Sequence, residues 1–293
     1  MGIRSGALRE RDHRERAVRA GAAVGVVVGD LAHEEDDLKA YVLAAGYATR
    51  MGSIAHQRAK PLLEVAGAPV LSHIVDRVVE LEDLSEVVVI TNSRFYGQFL
   101  EWASTYRAPV PLQVLDDGST RVEDRRGAVG DLAFGVQAVP PQEEDWVVMA
   151  GDNLLGFDLR PLQQSFRRER SPLLVLRRVD HSGTPVHYNE VTLDKAGRVI
   201  RFREKPSDPE TGVTAIALYF FTPGVTSLLS RYVDAGHERD APGHFISWLV
   251  NEVPVRGSFF HGDWFDIGSP DTFEVARRAY VPSTQASPGG PVA

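Results

Sequence analysis

The chain has 293 residues and contains no cysteine, which excludes disulfide bonds, thiol nucleophiles and cysteine-ligated zinc. Its formal net charge is −8, which argues against a nucleic-acid-binding protein because such proteins normally present a basic face. No apolar run reaches the roughly 18 residues that a membrane-spanning helix requires. We therefore expect no nucleic-acid or membrane partner and a cytoplasmic location. A small phosphorylated ligand is compatible with this composition, because its site needs only a few local cations.

The two ends of the chain differ in composition from its middle. Residues 1–38 are rich in Arg, Glu, Asp, Ala and Gly without a sustained hydrophobic period, and residues 281–293 include the run Ser-Pro-Gly-Gly-Pro. Both compositions predict disorder. The apolar run at 20–28 is short, contains two glycines and follows acidic residues, which argues against a secretory signal peptide. We expect one structured domain over residues 39–280.

Short apolar runs and helical patterns alternate through the first part of this domain. Continuous apolar runs are typical of strands covered on both faces, and they occur at 41–44, 87–90, 112–115 and 146–150. Helical segments are predicted between them, at 70–81, 95–102 and 132–139. This alternating order predicts a three-layer α/β/α sandwich around a mainly parallel, Rossmann-like sheet. The later part predicts strands at 173–176, 190–193, 199–202 and 215–221, and helices at 245–250 and 272–279.

A stretch of small residues follows the first predicted strand directly. It runs from Ala44 to Arg50 as Ala-Ala-Gly-Tyr-Ala-Thr-Arg. Ligands of parallel α/β sheets bind beyond the carboxyl ends of the strands, and small residues there let backbone N–H groups approach a phosphate. Arg50 adds a forked cation that can bind two phosphate oxygens. By themselves, these residues fit a tight turn with a surface arginine equally well.

Three further motifs carry charged side chains. Lys60 precedes Pro61, and a lysine in that place is by itself more typical of a solvated loop. Gly151-Asp152-Asn153 follows the strand at 146–150, where a carboxylate beside a phosphate site would suit Mg²⁺ and where an Asp-Asn turn is the alternative. Glu204-Lys205-Pro206 alone fits a charged loop.

A last motif, Trp264-Phe265-Asp266-Ile267-Gly268, alone fits a packed aromatic turn. Taken in order, however, these motifs resemble those of the sugar-1-phosphate nucleotidyltransferase family, which includes glucose-1-phosphate thymidylyltransferases. The resemblance covers residues 39–280. It implies a nucleotide-binding half over 39–150 and a half over 151–280 that completes the sugar and metal site.

The resemblance also implies a role for each matching residue. The expected catalytic cations, which neutralise the triphosphate and the leaving pyrophosphate, are Arg50 and Lys60. The expected nucleotide-binding residues are Ala45, Gly46, Thr49 and Gly130. The expected sugar-phosphate-binding residues are Glu204, Lys205, Asn189 and Thr214, where Asn189 stands in place of a glycine that is common in the family. The expected Mg²⁺ ligands are Asp152 and Asp266.

The activity implied by the resemblance is transfer of a nucleotidyl group from a nucleoside triphosphate to a sugar 1-phosphate, with release of pyrophosphate. The leading substrates are dTTP and glucose 1-phosphate, and assembly into a homo-oligomer is compatible with the sequence. Uridylyl, guanylyl or cytidylyl transfer and a different phosphorylated acceptor stay open, because the segment 115–119 lacks the glutamine of typical thymidylyltransferases.

Two alternatives have a different chemistry. Glycosyltransferases of related architecture usually use an Asp-x-Asp metal motif, whereas this chain has Asp152-Asn153-Leu154 and lacks the second acid. A regulatory relative without catalysis is the other alternative. The intact set of charged residues argues against it: Arg50, Lys60, Asp152, Lys205 and Asp266.

Overall fold

The computed structural model describes residues 37–55, 57–179 and 188–282. Within these ranges the strands are β1 (Leu38–Leu43), β2 (Glu64–Val65), β3 (Ala68–Pro69), β4 (Leu84–Thr91), β5 (Leu112–Asp116), β6 (Asp145–Ala150), β7 (Asn153–Gly156), β8 (Leu173–Arg178), β9 (Glu190–Leu193), β10 (Val199–Arg203), β11 (Val213–Phe221), β12 (Arg256–Phe259) and β13 (Asp263–Asp266). The α-helices are α1 (Val70–Val78), α2 (Tyr96–Thr105), α3 (Ala128–Ala138), α4 (Arg160–Glu169), α5 (Val225–Asp234), α6 (Pro242–Glu252) and α7 (Pro270–Ala279).

The large sheet confirms the predicted fold class. In the described part of the chain, seven strands form it in the order β12-β8-β11-β6-β1-β4-β5. All neighbouring pairs are parallel except those of β11, which is antiparallel to both β6 and β8. Strands from both predicted halves belong to this one sheet, so the halves share a continuous core.

Helices cover both faces of the sheet, which explains the continuous apolar runs of the strands. Val42 faces one apolar cluster together with residues of α1 and α4, whereas its neighbour Tyr41 faces a second cluster with residues of α3, α5 and α6. Both side chains are fully buried, as expected for a strand covered on two sides. The predicted three-layer arrangement is therefore confirmed.

Several elements differ from the sequence prediction. Helix α4 was not predicted because its exposed surface is mostly charged and its buried stripe consists of Leu162, Gln163 and Phe166. Helix α5 and strands β7 and β12 were also not predicted. The segment at Trp264–Asp266, which alone suggested an aromatic turn, is strand β13 and pairs antiparallel with β7.

Helix α3 begins at Ala128, four residues before the predicted start at 132. Gly127 precedes it with φ +77°, and the carbonyl oxygens of Arg239 and Asp240 accept hydrogen bonds from the N–H groups of Val129 (2.9 Å) and Ala128 (3.2 Å). A distant loop therefore satisfies N–H groups at the start of the helix, which local sequence patterns do not reveal.

The predicted disorder of residues 1–38 and 281–293 lies largely outside the described residues. At its inner edge the prediction is wrong, because Leu38 is buried and begins β1. Within 37–55, 57–179 and 188–282, no helix is both long and apolar enough to cross a membrane.

We expect Gly127→Ala to lower the free energy of unfolding. A Cβ there would meet the backbone of Arg239 and Asp240, and the positive φ alone costs a non-glycine residue about 1–3 kcal/mol. Gly97→Ala in α2 is the control, because a Cβ meets nothing within 4 Å there and should leave stability unchanged or slightly higher. Urea denaturation of both variants measures the difference, and equal midpoints would contradict this account of Gly127.

Candidate active site

A cleft of about 500 Å³ opens at the carboxyl ends of β1 and β6. Its walls come from the loop after β1, the turn between β6 and β7, and residues of β11 and β13. Such a crevice beyond the strand ends is the usual ligand site of parallel α/β sheets. The lining includes ten of the twelve residues predicted from the sequence: Ala45, Gly46, Thr49, Arg50, Lys60, Asp152, Asn189, Glu204, Lys205 and Asp266.

The small-residue loop after β1 is supported from below by a buried asparagine. Asn92 is fully buried, and its Nδ2 donates a hydrogen bond of 2.8 Å to the carbonyl oxygen of Ala45. Its Oδ1 accepts one of 3.1 Å from the backbone N–H of Phe95. A Cβ at Gly46 would meet nothing within 4 Å, so the backbone at that position is open to a ligand. The sequence analysis missed Asn92, whose one available signal was a polar residue directly after a buried strand.

Charged side chains from distant parts of the chain lie together at the centre of the cleft. Lys60 forms an ion pair with Asp152. Burial and then the neighbouring charge of Asp152 raise the pKa of Asp266 to about 6, whereas the cations Lys60, Arg50 and Lys205 act in the opposite direction. The other four predicted charged residues therefore all lie close enough to act electrostatically on Asp266.

Strand pairing brings the two carboxylates together. Asp266 at the end of β13 lies opposite Asn153 of β7, directly after Asp152. The backbone N–H of Ile267 donates to the carbonyl oxygen of Asp152 at 3.0 Å, and Trp264 Nε1 donates to Asn153 Oδ1 at 2.8 Å. The β7–β13 ladder thus fixes the separation of the two acids.

The two acids have the chemistry of a magnesium site. Mg²⁺ is usually held by a small number of carboxylates together with substrate phosphates and water, not by an all-protein cage. Among residues 37–55, 57–179 and 188–282, no group of three or more His, Cys, Asp or Glu could hold a metal alone. The desolvated Asp266 beside Asp152 has unfavourable like-charge repulsion that a divalent cation would relieve. The pair therefore fits the ion that the sequence predicted.

The predicted sugar-phosphate residues occupy the side of the cleft next to β11. Lys205 has φ +44°, and its ammonium group lies 3.6 Å from the carboxylate of Glu204. Asn189 pairs with the backbone of Ala215, since its Nδ2 donates to the carbonyl oxygen and its Oδ1 accepts from the N–H, both at 2.8 Å. Thr214 is buried behind the lining and donates to Asn189 Oδ1 at 3.0 Å, so it contacts the cleft only through Asn189.

Gly130 is not among the residues that line the cleft, whereas Gly127 and Ala128 are. Gly130 lies inside α3, where a Cβ would meet the side chain of Arg126. Of Gly127 and Gly130, the glycine that lines the cleft is therefore Gly127, which precedes the helix. The sequence signal for Gly127 was its position directly before an apolar helix. That signal was missed because the helix was predicted to start at residue 132, four residues too late.

Aromatic and acidic residues that the sequence analysis did not select also line the cleft: Tyr47, Tyr188, Tyr219 and Asp131. Burial raises the pKa of the Tyr219 hydroxyl, with a smaller contribution from the charge of Glu204. In the sequence, Tyr219 belongs to an apolar strand and is indistinguishable from a core residue.

The family model described as Nucleotidyl transferase matches residues 39–282. The chain belongs to the nucleotidyl transferase family. Glucose-1-phosphate thymidylyltransferase of Streptomyces antibioticus is 27% identical over 247 residues, covering 82% of this chain and 65% of that protein. UTP–glucose-1-phosphate uridylyltransferase of Synechocystis sp. is 24% identical over 270 residues, covering 86% and 68%.

The comparison with solved structures supports the fold. A UDP-glucose pyrophosphorylase solved with UDP-glucose has a TM-score of 0.70 at 16% identity, over 83% of this chain and 98% of that chain. The match to the family model confirms the family predicted from the sequence motifs. The chain spans about two thirds of the length of the Streptomyces antibioticus relative.

We expect Asn92→Ala to lower the free energy of unfolding by about 1–3 kcal/mol, because the buried Ala45 carbonyl loses the hydrogen bond that Asn92 Nδ2 donates to it. It should also raise the KM for the nucleotide, since the loop after β1 loses its support. The exposed Asn251, whose Nδ2 donates to the Ser247 carbonyl, gives the control Asn251→Ala, which should change neither quantity. Denaturation and initial-rate kinetics decide between these outcomes.

Proposed function

We propose that this chain transfers a nucleotidyl group from a nucleoside triphosphate to a sugar 1-phosphate and releases pyrophosphate, with dTTP and glucose 1-phosphate as the leading substrates. The observation that carries the proposal is the meeting of three cations and two carboxylates in one cleft. Two anionic reactants repel each other strongly, and such a set of charges cancels that repulsion. The names of the related thymidylyl- and uridylyltransferases point in the same direction.

The reaction is an in-line displacement at the α-phosphorus. An oxygen of the sugar phosphate forms a bond to that phosphorus, and the bond to the bridging oxygen breaks, so that pyrophosphate leaves with the electron pair. No covalent enzyme intermediate is needed, and catalysis comes from alignment and charge neutralisation.

Each charged residue has a place in this reaction. Lys205 would hold the attacking phosphate, while Arg50 and Lys60 would bind the triphosphate and stabilise the leaving pyrophosphate. Asp152 and Asp266 would hold Mg²⁺, which when bound lowers the negative charge of the phosphate oxygens. Lys60, which pairs with Asp152 in the structure, would then be released to the triphosphate.

The backbone conformation of Lys205 supports its proposed role in binding the sugar phosphate. Its φ of +44° is unusual for a residue with a side chain and costs about 1–3 kcal/mol, so the surrounding structure must hold it. A Cβ at Gly243 would overlap the Glu204 carboxylate, which shows how closely α6 packs against this motif. Strained residues held in this way are frequent in ligand sites.

The surroundings of Asp152 favour nucleotidyl transfer over glycosyl transfer. Asn153 Nδ2 donates a hydrogen bond of 2.9 Å to Asp152 Oδ1, and Asn153 Oδ1 accepts one from the indole N–H of Trp264. The position after Asp152 therefore serves to orient the acids and adds no carboxylate of its own.

The experiment that tests the proposed function is a matrix of nucleoside triphosphates against sugar 1-phosphates, scored by pyrophosphate release. A glycosyltransferase would release nucleoside diphosphate, and a regulatory relative would release neither product. Assembly into a homo-oligomer and a cytoplasmic location remain predictions from the sequence.

We expect Lys205→Ala to lower kcat/KM for the sugar phosphate by about 10–100-fold, because a hydrogen bond to a charged group contributes about 1.5–3 kcal/mol. The KM for the nucleoside triphosphate should change much less. Lys195→Ala, which removes an exposed lysine of the turn between β9 and β10, is the control because Lys195 does not line the cleft. Pyrophosphate-release kinetics with each substrate varied in turn measure these effects. If both variants resemble the wild type, Lys205 does not bind the sugar phosphate.

We expect Asp152→Asn to lower Mg²⁺-dependent turnover by about a hundredfold or more, since a bound metal supplies several kcal/mol of charge stabilisation. Asp263→Asn, on the exposed end of β13, should retain activity. Turnover and Mn²⁺ binding are measured for both variants. Unchanged metal binding in Asp152→Asn would refute the metal assignment.

A further inference from the structure

The cleft contains a buried acid that the proposed reaction does not use. Asp131, the fourth residue of α3, lines the cleft and is only 7% exposed. Its Oδ1 receives no hydrogen bond from any donor among the residues that the structure describes. A buried carboxyl oxygen without a donor requires an explanation, because it has lost water without gaining a partner.

The position of Asp131 along the sheet indicates which part of a substrate it meets. The central cations follow β1 and flank β6, and the sugar-phosphate residues lie beyond them, next to β11. Asp131 lies on the other side, because α3 follows β5 and packs against β1 and β4. If the phosphates bind at the centre and the sugar next to β11, the nucleoside must occupy the side of α3.

The wall on this side offers few polar side chains. Its described lining includes Tyr47, Val122, Arg125, Ala128 and Asp131. The Tyr47 hydroxyl donates to Ser119 Oγ at 3.0 Å, and Arg125 forms an ion pair of 3.0 Å with Asp240. Of these described residues, Asp131 is the one that carries a carboxyl group, so it can supply this wall with a carboxyl acceptor.

Burial and a second acid, Asp117, together favour the protonated form of Asp131. Asp117 is 2% exposed and already accepts hydrogen bonds from the N–H (2.6 Å) and the Oγ (3.0 Å) of Ser119. The carboxyl of Asp131 hydrogen-bonds that of Asp117. Burial, followed by the charge of Asp117, raises the pKa of Asp131 to about 8, while Arg126 has a smaller opposite effect. Near neutral pH, Asp131 therefore donates its proton to Asp117 and keeps a carbonyl oxygen as an acceptor.

We propose that Asp131 selects the nucleobase, by accepting a hydrogen bond from the ring N–H of a uracil, thymine or guanine base. This inference rests on the proposed function. Cytosine and adenine carry an unprotonated ring nitrogen at the corresponding edge, so two acceptors would face each other. A site built to hydrogen-bond a substrate N–H discriminates strongly against an analogue without it, because its buried polar group stays unpaired.

Substitutions at Asp131 can separate the acceptor oxygen from the hydrogen bond to Asp117. Asp131→Asn has the shape of the protonated acid, since its amide can donate to Asp117 and direct its carbonyl oxygen to the base. Asp131→Ala and the volume-matched Asp131→Leu remove the acceptor. Glu123→Gln is the control, because Glu123 is exposed in the same loop region and does not line the cleft.

The test measures affinities of dTDP, UDP, GDP, CDP and ADP by calorimetry at pH 7, together with kcat/KM for the matching triphosphates. We expect the wild type, Asp131→Asn and Glu123→Gln to prefer the bases with a ring N–H. Asp131→Ala and Asp131→Leu should reduce that preference by about tenfold or more. Thermal unfolding confirms that each variant is folded, and two different apolar substitutions keep the test decisive if one of them fails to fold.

The outcomes separate this inference from the proposed function. A wild type without base preference, or an unchanged preference in the apolar variants, would overturn the role of Asp131 even if pyrophosphate is released normally. Loss of the preference in Asp131→Asn as well would show that the neutral acid is not what the base meets. Absence of turnover with every triphosphate would refute the proposed function. The diphosphate affinities would still test whether Asp131 selects the base.

Discussion

The antiparallel pairing of β7 with β13 is the interaction on which the site depends. It joins two segments more than a hundred residues apart in sequence and places Asp266 opposite Asn153, next to Asp152. The Trp264 indole and the Ile267 N–H fix this register through hydrogen bonds to Asn153 and to the backbone of Asp152. A strand shifted by one residue would turn the Asp266 side chain to the other face of the ladder, so the two acids meet only in this register.

The charges in the cleft explain what this arrangement can bind. Burial and then the charge of Asp152 raise the pKa of Asp266, and the nearby cations offset only part of this rise. The two acids lie close together although their charges repel, and the proposed divalent cation would relieve that repulsion. The overall charge of −8 does not oppose an anionic ligand at this site, because Arg50, Lys60 and Lys205 all line the cleft.

Much of the fold and site could be predicted from the sequence because the relevant signals are local. The apolar runs of β1, β4 and β6 reflect burial on both faces, and the motifs around Arg50, Lys60, Asp152, Lys205 and Asp266 each follow or precede a regular element. Helix α4 escaped prediction because its buried stripe is short and its surface charged. The start of α3 escaped because its first N–H groups are satisfied by the loop at Arg239 and Asp240, far away in sequence.

From the sequence alone, the apolar runs determined the mainly parallel sheet, because they record burial of a strand on both faces. The resemblance of the motifs to a known family determined the family and which charged residues to consider. Only the tertiary structure decided which glycine reaches the cleft, that Thr214 acts through Asn189, and that Asp131 rests on a second buried acid. These features depend on contacts between residues distant in sequence. Burial and the protonation of paired acids arise from such contacts, so no local pattern records them.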